Sequence, residues 1–394
     1  MIRVATAFSR INDAATAARR ACLDALSKAN LKKCSHVFLF ATARHRDHLP
    51  EILTTAEKTA ETSNIVGASG FGVLTEEAEI ENGPGIAVMV LESDEIDCRP
   101  FLIPNLQENN YGAGREAGRI LSETGGLDTS MFVFPDPFSF RSAQFYEGLE
   151  SMREYTPVMG ALASENGSEE KTYQWFGRQA AYDAMSGFAL GGNVRTETGI
   201  ARSCKPFGET LQITKASGNL IYEMDGRPAY DILLESISSI FFDNPDNIFQ
   251  RIFLGIPVRE FQTDFQKTDY LVRNILGVNV KNGMLACVSP VEEGDFVTFA
   301  LRNPVFARED MRFLLENLQY RISPSKPAFG FYFNCCARGQ SLYGKPDVDT
   351  ALIREYFPGL PVVGFFSYGE LAPMDFVNHT HHYAGALTLV HSKS

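Results

Sequence analysis

Three stretches of this chain nearly repeat one another. They are SNIVGASGFGVL from Ser63, TPVMGALASENG from Thr156 and LPVVGFFSYGEL from Leu360. Each holds a short β-branched run, a glycine, and then small or polar residues. A fold that builds the same corner three times must be an internal repeat, and the flanking sequence supports that. Met1 to Phe8 has the pattern of a strand, and Asn12 or Asp13 can cap a helix running to about Lys28. Ala14, Ala17, Ala18, Ala21, Cys22, Ala25 and Leu26 recur on its inner face at helical spacing. HVFLFA then predicts a strand, LPEILTTAEKTAE a helix and GPGIAVMVL a further strand. The order returns as SMFVFP, FRSAQFYEGLESMRE, PVMG and SGFALGG, and again as AFGFYFN, DTALIREYF, PVVG and AGALTLV.

The expected fold is therefore α/β: repeated strand-helix-strand-strand units forming mixed sheets covered by helices, in two similar halves. The paired glycines Gly67/Gly85, Gly160/Gly187 and Gly364/Gly385 lie 18, 27 and 21 residues apart. That irregularity suits a duplicated domain with variable loops and excludes a solenoid or propeller. Each first glycine is expected at a strand end, either in a tight turn or lining a pocket where strand ends converge. Between the repeats the texture differs. Two strands meet around Ser217-Gly218, a turn follows at Asp225-Gly226, and a helix starts near Ala229. DNIFQRIFLGI is expected to be a helix, and GMLACVSPVEEGDFVTFAL to contain strands. REDMRFLLENLQYR predicts an amphipathic helix with Met311, Leu314, Leu315 and Leu318 on one face. The domain boundary is placed between Arg195 and Cys204, giving domains 1–200 and 201–394.

Composition narrows the function. At 394 residues, 44% hydrophobic and 21% charged, the chain can bury a sizeable core. Its net charge of −12, with no basic run, argues against nucleic acid or an anionic membrane surface as partner. No segment approaches the ~20 apolar residues of a membrane span. The N-terminus lacks an apolar signal core, so a cytoplasmic location is expected. Seven cysteines without a CxxC spacing are not a disulfide framework, and free thiols are expected.

Four segments carry a resemblance: GETLQITKASGNLIYEMDGRPAYDIL, DYLVRNILGVNVKNGMLACVSPVEEGD, FNCCARGQSLYG and GFFSYGELAP followed by NHTHHYAG. They are similar to the C-terminal half of the FIST family (F-box and intracellular signal transduction proteins). VGASGFGVL and GPGIAVMVL resemble its N-terminal half, so the likeness spans essentially the whole chain. It implies a small-ligand-binding sensory module with amino-acid-like ligands, joined in other architectures to output domains or an F-box. The two halves use up this chain's length, so no output domain is expected in it. The resemblance places Cys335 or Cys336, Arg338 and Gly339 on one motif, with Ala337 in place of its first glycine. Gly364, Ser367, Gly369 and Glu370 fall on a second motif, and Asn378, His381 and Tyr383 on a third. It brings no catalytic role with it.

The chemistry of these residues points to ligand binding. Arg338 follows a strand, and its planar guanidinium suits a carboxylate held by two hydrogen bonds, from a ligand or from a structural partner such as Glu370. Ser367 and Glu370 suit a ligand hydroxyl and amine, or else a satisfied turn network. Asn378, His381 and Ser69 are further polar candidates. Cys335 and Cys336 face opposite sides of a strand, so one belongs to the core and the other to the pocket. A cysteine nucleophile, or a scaffold recognising a protein partner, is the competing class. No cofactor is expected. Zinc would have to rest on His379 and His381 or on the HRDH run from His45, and haem on a lone histidine. GASGF and FFSYG miss the nucleophile-elbow spacing, and SPSK carries Pro324 where a helix is required. YGAGREAG has the wrong spacing for a dinucleotide fingerprint, with no convincing strand immediately before it. The expected partners are a small molecule and a signalling protein.

Overall fold

The computed structural model describes residues 1–126, 128–167, 170–238, 251–258 and 270–393. They fall into two compact units. One comprises Met1–Ala201, Met311–Thr380 and Ala384–Ser394, the other Arg202–Asp310 and His381–Tyr383.

The first unit holds the repeat, and it occurs three times. Repeat I runs β1 (Ile2–Ser9), α1 (Ala14–Lys28), β2 (His36–Thr42), α2 (Leu49–Ala60) and β3 (Ile65–Gly70). The hairpin β4 (Gly72–Thr75) and β5 (Glu79–Ile80) follows, and β6 (Ile86–Ser93) closes it. Repeat II uses the same order: β7 (Ile96–Pro104), α3 (Asn110–Ser122), β8 (Ser130–Pro135), α4 (Ser142–Glu150) and β9 (Val158–Leu162). Its hairpin is β10 (Gln174–Phe176) and β11 (Gln179–Ala181), and its last strand β12 (Ala184–Gly192). Repeat III begins with β13 (Val194–Arg202), after which the chain enters the second unit.

That unit is an antiparallel sheet made of β14 (Cys204–Ser217), β15 (Leu220–Met224), β16 (Arg227–Pro228), β17 (Ile252–Pro257), β18 (Tyr270–Asn279), β19 (Met284–Cys287) and β20 (Phe296–Arg302), with α5 (Ala229–Ser238). Strand order β14-β20-β17-β18-β19-β15, together with a β14–β15 pairing, closes it into a barrel. Leu211, Ile213, Leu254, Leu285 and Phe299 fill its inside with Leu233 of α5. The helix expected over DNIFQRIFLGI is corrected here: Ile252–Pro257 is a strand paired on both sides. Its first five residues lie outside the described residues. A short apolar run fits either period, and the barrel decides it.

Repeat III then resumes with α6 (Pro304–Ile322), β21 (Pro327–Cys335), α7 (Gly339–Tyr343), α8 (Val348–Tyr356) and β22 (Val362–Ser367). The hairpin β23 (Gly369–Met374) and β24 (Val377–His381) and the last strand β25 (Ala384–Ser392) complete it. The three sheets have matching strand orders, β1-β6-β2-β3, β7-β12-β8-β9 and β13-β25-β21-β22. In each, the two strands flanking the middle helix run parallel. Each hairpin leaves its own repeat. β4 joins the sheet of repeat III beside β22, β10 joins repeat I beside β3, and β23 joins repeat II beside β9.

The repeats meet on their parallel strands, each of which carries a Phe-x-Phe pair: Phe38/Phe40, Phe132/Phe134 and Phe331/Phe333. All six are fully buried in one cluster. Phe38 meets Phe331 at 5.1 Å between ring centroids, Phe40 meets Phe134 at 5.2 Å, and Phe132 meets Phe331 at 5.0 Å. Ring pairs at such spacing add about 0.5–1.5 kcal/mol each beyond their buried area. Helices cover the outer faces: α1 through the predicted alanine stripe, α2 through Leu49, Ile52, Leu53 and Ala56, and α6 through Met311, Leu314, Leu315 and Leu318.

The glycine corners are equivalent, but they are not turns. Gly67, Gly160 and Gly364 each stand third in their strand, not at its end. A Cβ there would lie 1.7 Å from the Leu39 carbonyl oxygen, 2.0 Å from that of Val133 and 1.7 Å from that of Tyr332. The small residue admits the neighbouring strand, not a ligand. YGAGREAG opens α3, with the strand β7 ahead of it. Its Gly114 and the Gly148 of α4 let the two helix backbones approach closely.

Candidate functional site

The FNCCARG motif ends β21, beside the end of β22. Cys335 pairs with Ser367, and the Cys336 N–H donates to the Ser367 carbonyl. The chain then turns, with Arg338 N–H donating to the Cys335 carbonyl at 2.7 Å, and enters α7. Arg338 is fully buried, and its guanidinium fork is filled by Asp349 of α8, Nε to Oδ2 at 3.0 Å and Nη2 to Oδ1 at 3.1 Å. Nη1 donates to the Ala201 carbonyl, and Nη2 also to the Tyr343 hydroxyl. The hydroxyls of Tyr332 and Tyr343 donate to the same carboxylate. Burial pushes the Asp349 pKa up, but the guanidinium and these donors outweigh it and hold the pKa below the usual range. Arg338 thus binds a carboxylate with two hydrogen bonds, as its chemistry suggested, and that carboxylate is Asp349. The structural partner suggested from sequence was Glu370 instead.

Repeat I brings two more acids to this end of the sheet. Glu79 of β5 accepts the N–H groups of Asp347 and Thr350 at the start of α8. Burial and the nearby Asp349 raise its pKa to about 8. Glu81 accepts the Gln340 N–H at 2.7 Å, and burial raises its pKa to about 7. Gly339 makes that contact possible. Its φ is +39°, and a Cβ would stand 2.6 Å from the Glu81 carboxylate.

Ser367 ends β22, and Glu370 follows it in β23. Both are fully buried, and the Ser367 hydroxyl donates to Glu370 Oε1 at 2.6 Å. Ser367 Oγ also lies 3.4 Å from the Asn334 carbonyl. Asn334, which the sequence reading passed over although FNCCARG contains it, is fixed by its Nδ2 donating to Asp349. Its Oδ1 and the Oε2 of Glu370 are buried polar atoms with no hydrogen-bond partner among the described residues. Burial, with the Cys335 thiol close by, raises the Glu370 pKa well above the carboxylate range, against the pull of Ser367 and of the Ala384 N–H.

Of the remaining candidates, Cys335 is buried and Cys336 partly exposed, so Cys336 is the accessible thiol. Asn378 lies in β24 and acts as an extra backbone rung, accepting from Val158 N–H and donating to the Thr156 carbonyl. Ser69 donates to the Ser164 carbonyl and accepts from Tyr173 N–H, where hairpin β10 docks. His381 and Tyr383 belong to the second unit, where the Tyr383 ring lies 4.2 Å from that of Phe253. His45 is buried while His48 is largely exposed beside Glu51, so the two do not share a face. The structure therefore joins Cys335, Arg338, Gly339, Ser367 and Glu370 with Asn334, Asp349, Glu79 and Glu81. Asn378 and Ser69 serve other strand edges.

Comparison with known proteins finds relatives that span most of this chain. The chain is 26% identical over 351 residues to the uncharacterized protein Rv0628c of Mycobacterium tuberculosis, covering 89% of this chain and 90% of that one. It is 25% identical to Mb0898c of Mycobacterium bovis, covering 89% of each. It is 24% identical over 287 residues to MJ1623 of Methanocaldococcus jannaschii, covering 68% of this chain and 52% of that one. No helix among the described residues is long and apolar enough to cross a membrane. The family model of the FIST N domain matches residues 35–227 and that of the FIST C domain residues 229–373, so the chain belongs to the FIST family, whose domains serve as sensory modules in signal transduction.

Proposed function

We propose that this sensory protein responds to a small amine-bearing ligand, an amino acid being the simplest, received at Glu370, Asn334 and Ser367. One observation carries the reading: Glu370 Oε2 and Asn334 Oδ1 are fully buried polar atoms with no hydrogen-bond partner among the described residues. A buried polar atom left unmade costs about 1–3 kcal/mol, and an ammonium group brings three donors. Arg338 is the positioning residue. It fixes Asp349, which fixes Asn334. The ligand's carboxylate, if present, is then read by other groups. Seven cysteines outside any disulfide support a reducing, cytoplasmic setting, and the output passes to a separate signalling protein. No catalytic step is assigned.

Glu370 is held as the neutral acid by burial, so receiving an ammonium group ionises it and releases a proton. Calorimetry in buffers of different ionisation enthalpy tests this with glycine, alanine and propylamine against acetate and propionate. The amines are expected to bind with close to one proton released, and the deaminated acids not to bind. Glu370→Gln, folded by circular dichroism, is expected to bind at least tenfold more weakly. Equal binding by that variant, or binding of propionate alone, overturns the reading.

A further inference from the structure

The amino-terminal edge of the repeat III sheet carries a groove of ≈ 570 Å³, at the opposite end of β21 from Arg338. Its size falls within the few hundred to a thousand Å³ usual for small-molecule sites. Ile322, Phe357 and Leu360 are buried beneath it, and Pro324, Pro327, Pro358 and Pro361 contribute to its walls. Proline rings have few torsions to lose, so these walls are formed before anything binds. Proline also has no N–H, so the backbone offers the groove few donors.

Charge decides the ligand class. Lys326 is the sole charged residue of the lining. Among the described residues it has no carboxylate partner within ion-pair distance. The nearby Glu316 accepts the Tyr356 hydroxyl at 3.0 Å. The helices α6 and α8 both end at the groove, and a helix end carries roughly half a negative charge on its free carbonyls. Two of those carbonyls are capped: Ile322 by Ser325 N–H at 2.7 Å, and Tyr356 by the Gln319 side-chain amide at 2.6 Å. The full charge of Lys326 therefore dominates. We infer that this groove binds a small amphipathic carboxylate, its flat apolar body against Tyr356 and the proline walls and its carboxylate on Lys326. The site is separate from the one proposed at Glu370, and neither depends on the other.

Saturation-transfer NMR on the whole chain tests the inference with cinnamate and its neutral isostere cinnamamide. Wild type is expected to favour cinnamate at least fivefold. Lys326→Met should bind the two equally, because it keeps the apolar walls and removes only the charge. Ala328→Trp, which fills the groove, should lose both, while both variants keep the Glu370 response to amines. Equal binding of the two probes by wild type, no binding of either, or a preference that survives Lys326→Met overturns the inference.

Discussion

Gly364→Ala tests the claim that the repeated glycines exist to admit a neighbouring backbone. The new Cβ would lie 1.7 Å from the Tyr332 carbonyl oxygen, and relieving it even to 3.0 Å means parting β21 from β22 by the difference, 1.3 Å. The hydrogen bonds on either side of this point, Gly330 N–H to Pro361 and Cys336 N–H to Ser367, are both 2.9 Å long. The same parting carries them past 4 Å, outside hydrogen-bonding range. Two such bonds contribute roughly 1 kcal/mol each. Displacing Phe365 and Phe366, both fully buried, adds an overpacking cost of about 1–3 kcal/mol. The expected loss is therefore about 3–5 kcal/mol, out of the roughly 5–15 kcal/mol that hold a domain folded. Gly277→Ala is the control, since nothing lies within 4 Å of its new Cβ. Urea unfolding followed by circular dichroism measures both. Gly67→Ala and Gly160→Ala should behave like Gly364→Ala, or fail to fold. A Gly364→Ala protein whose unfolding free energy stays within about 1 kcal/mol of wild type would refute the reasoning.

Two other outcomes are expected. Asp349→Ala leaves Arg338 buried without its counter-charge and should destabilise by about 3–5 kcal/mol, whereas Arg338→Met with Asp349→Leu should recover only part of that loss, because Tyr332, Tyr343 and Asn334 still lack their acceptor. Unfolding of the single and double variants checks this, and a single variant as stable as wild type would count against the pair. Stability should also fall as pH rises from about 5 to 8, because folding raises the Glu79 pKa to about 8 and the Glu81 pKa to about 7. Groups raised by folding stabilise most below their unfolded pKa and lose that contribution as pH climbs through the folded value, at about 1.4 kcal/mol per unit. Unfolding midpoints across that range should flatten in Glu79→Gln; an unchanged slope would exclude Glu79 as the source.

The repeat was legible because strand and helix periods are local. The Asp13 cap, the alanine stripe of α1 and the apolar face of α6 were all readable from spacing. The Phe-x-Phe pairs stood in plain view in HVFLFA, SMFVFP and AFGFYFN, and their six-ring cluster needed only the thought that the repeats meet on those strands. What spacing cannot show is pairing between repeats. Asp349 lies 11 residues beyond Arg338, on a helix whose register places it there. Glu79 arrives from repeat I, some 270 residues earlier, because a hairpin crosses over. Asn378 looked like a ligand contact because a polar side chain in a strand has the same signature whether it meets a ligand or a backbone rung.

The crossing hairpins have a mechanical consequence. Repeat I lends β4 to repeat III, repeat II lends β10 to repeat I, and repeat III lends β23 to repeat II. Their tips are fastened on the receiving side: Arg354 of α8 donates to the Glu76 carbonyl, Arg178 pairs with Glu57 of α2, and Phe376 packs on Tyr155 beyond α4. The dependencies form a closed ring, so no repeat is first or last. A linear array can melt from its ends; this ring has no end to start from. Loosening any one hairpin opens a sheet edge in its host, and the host's own hairpin then weakens its grip on the third repeat.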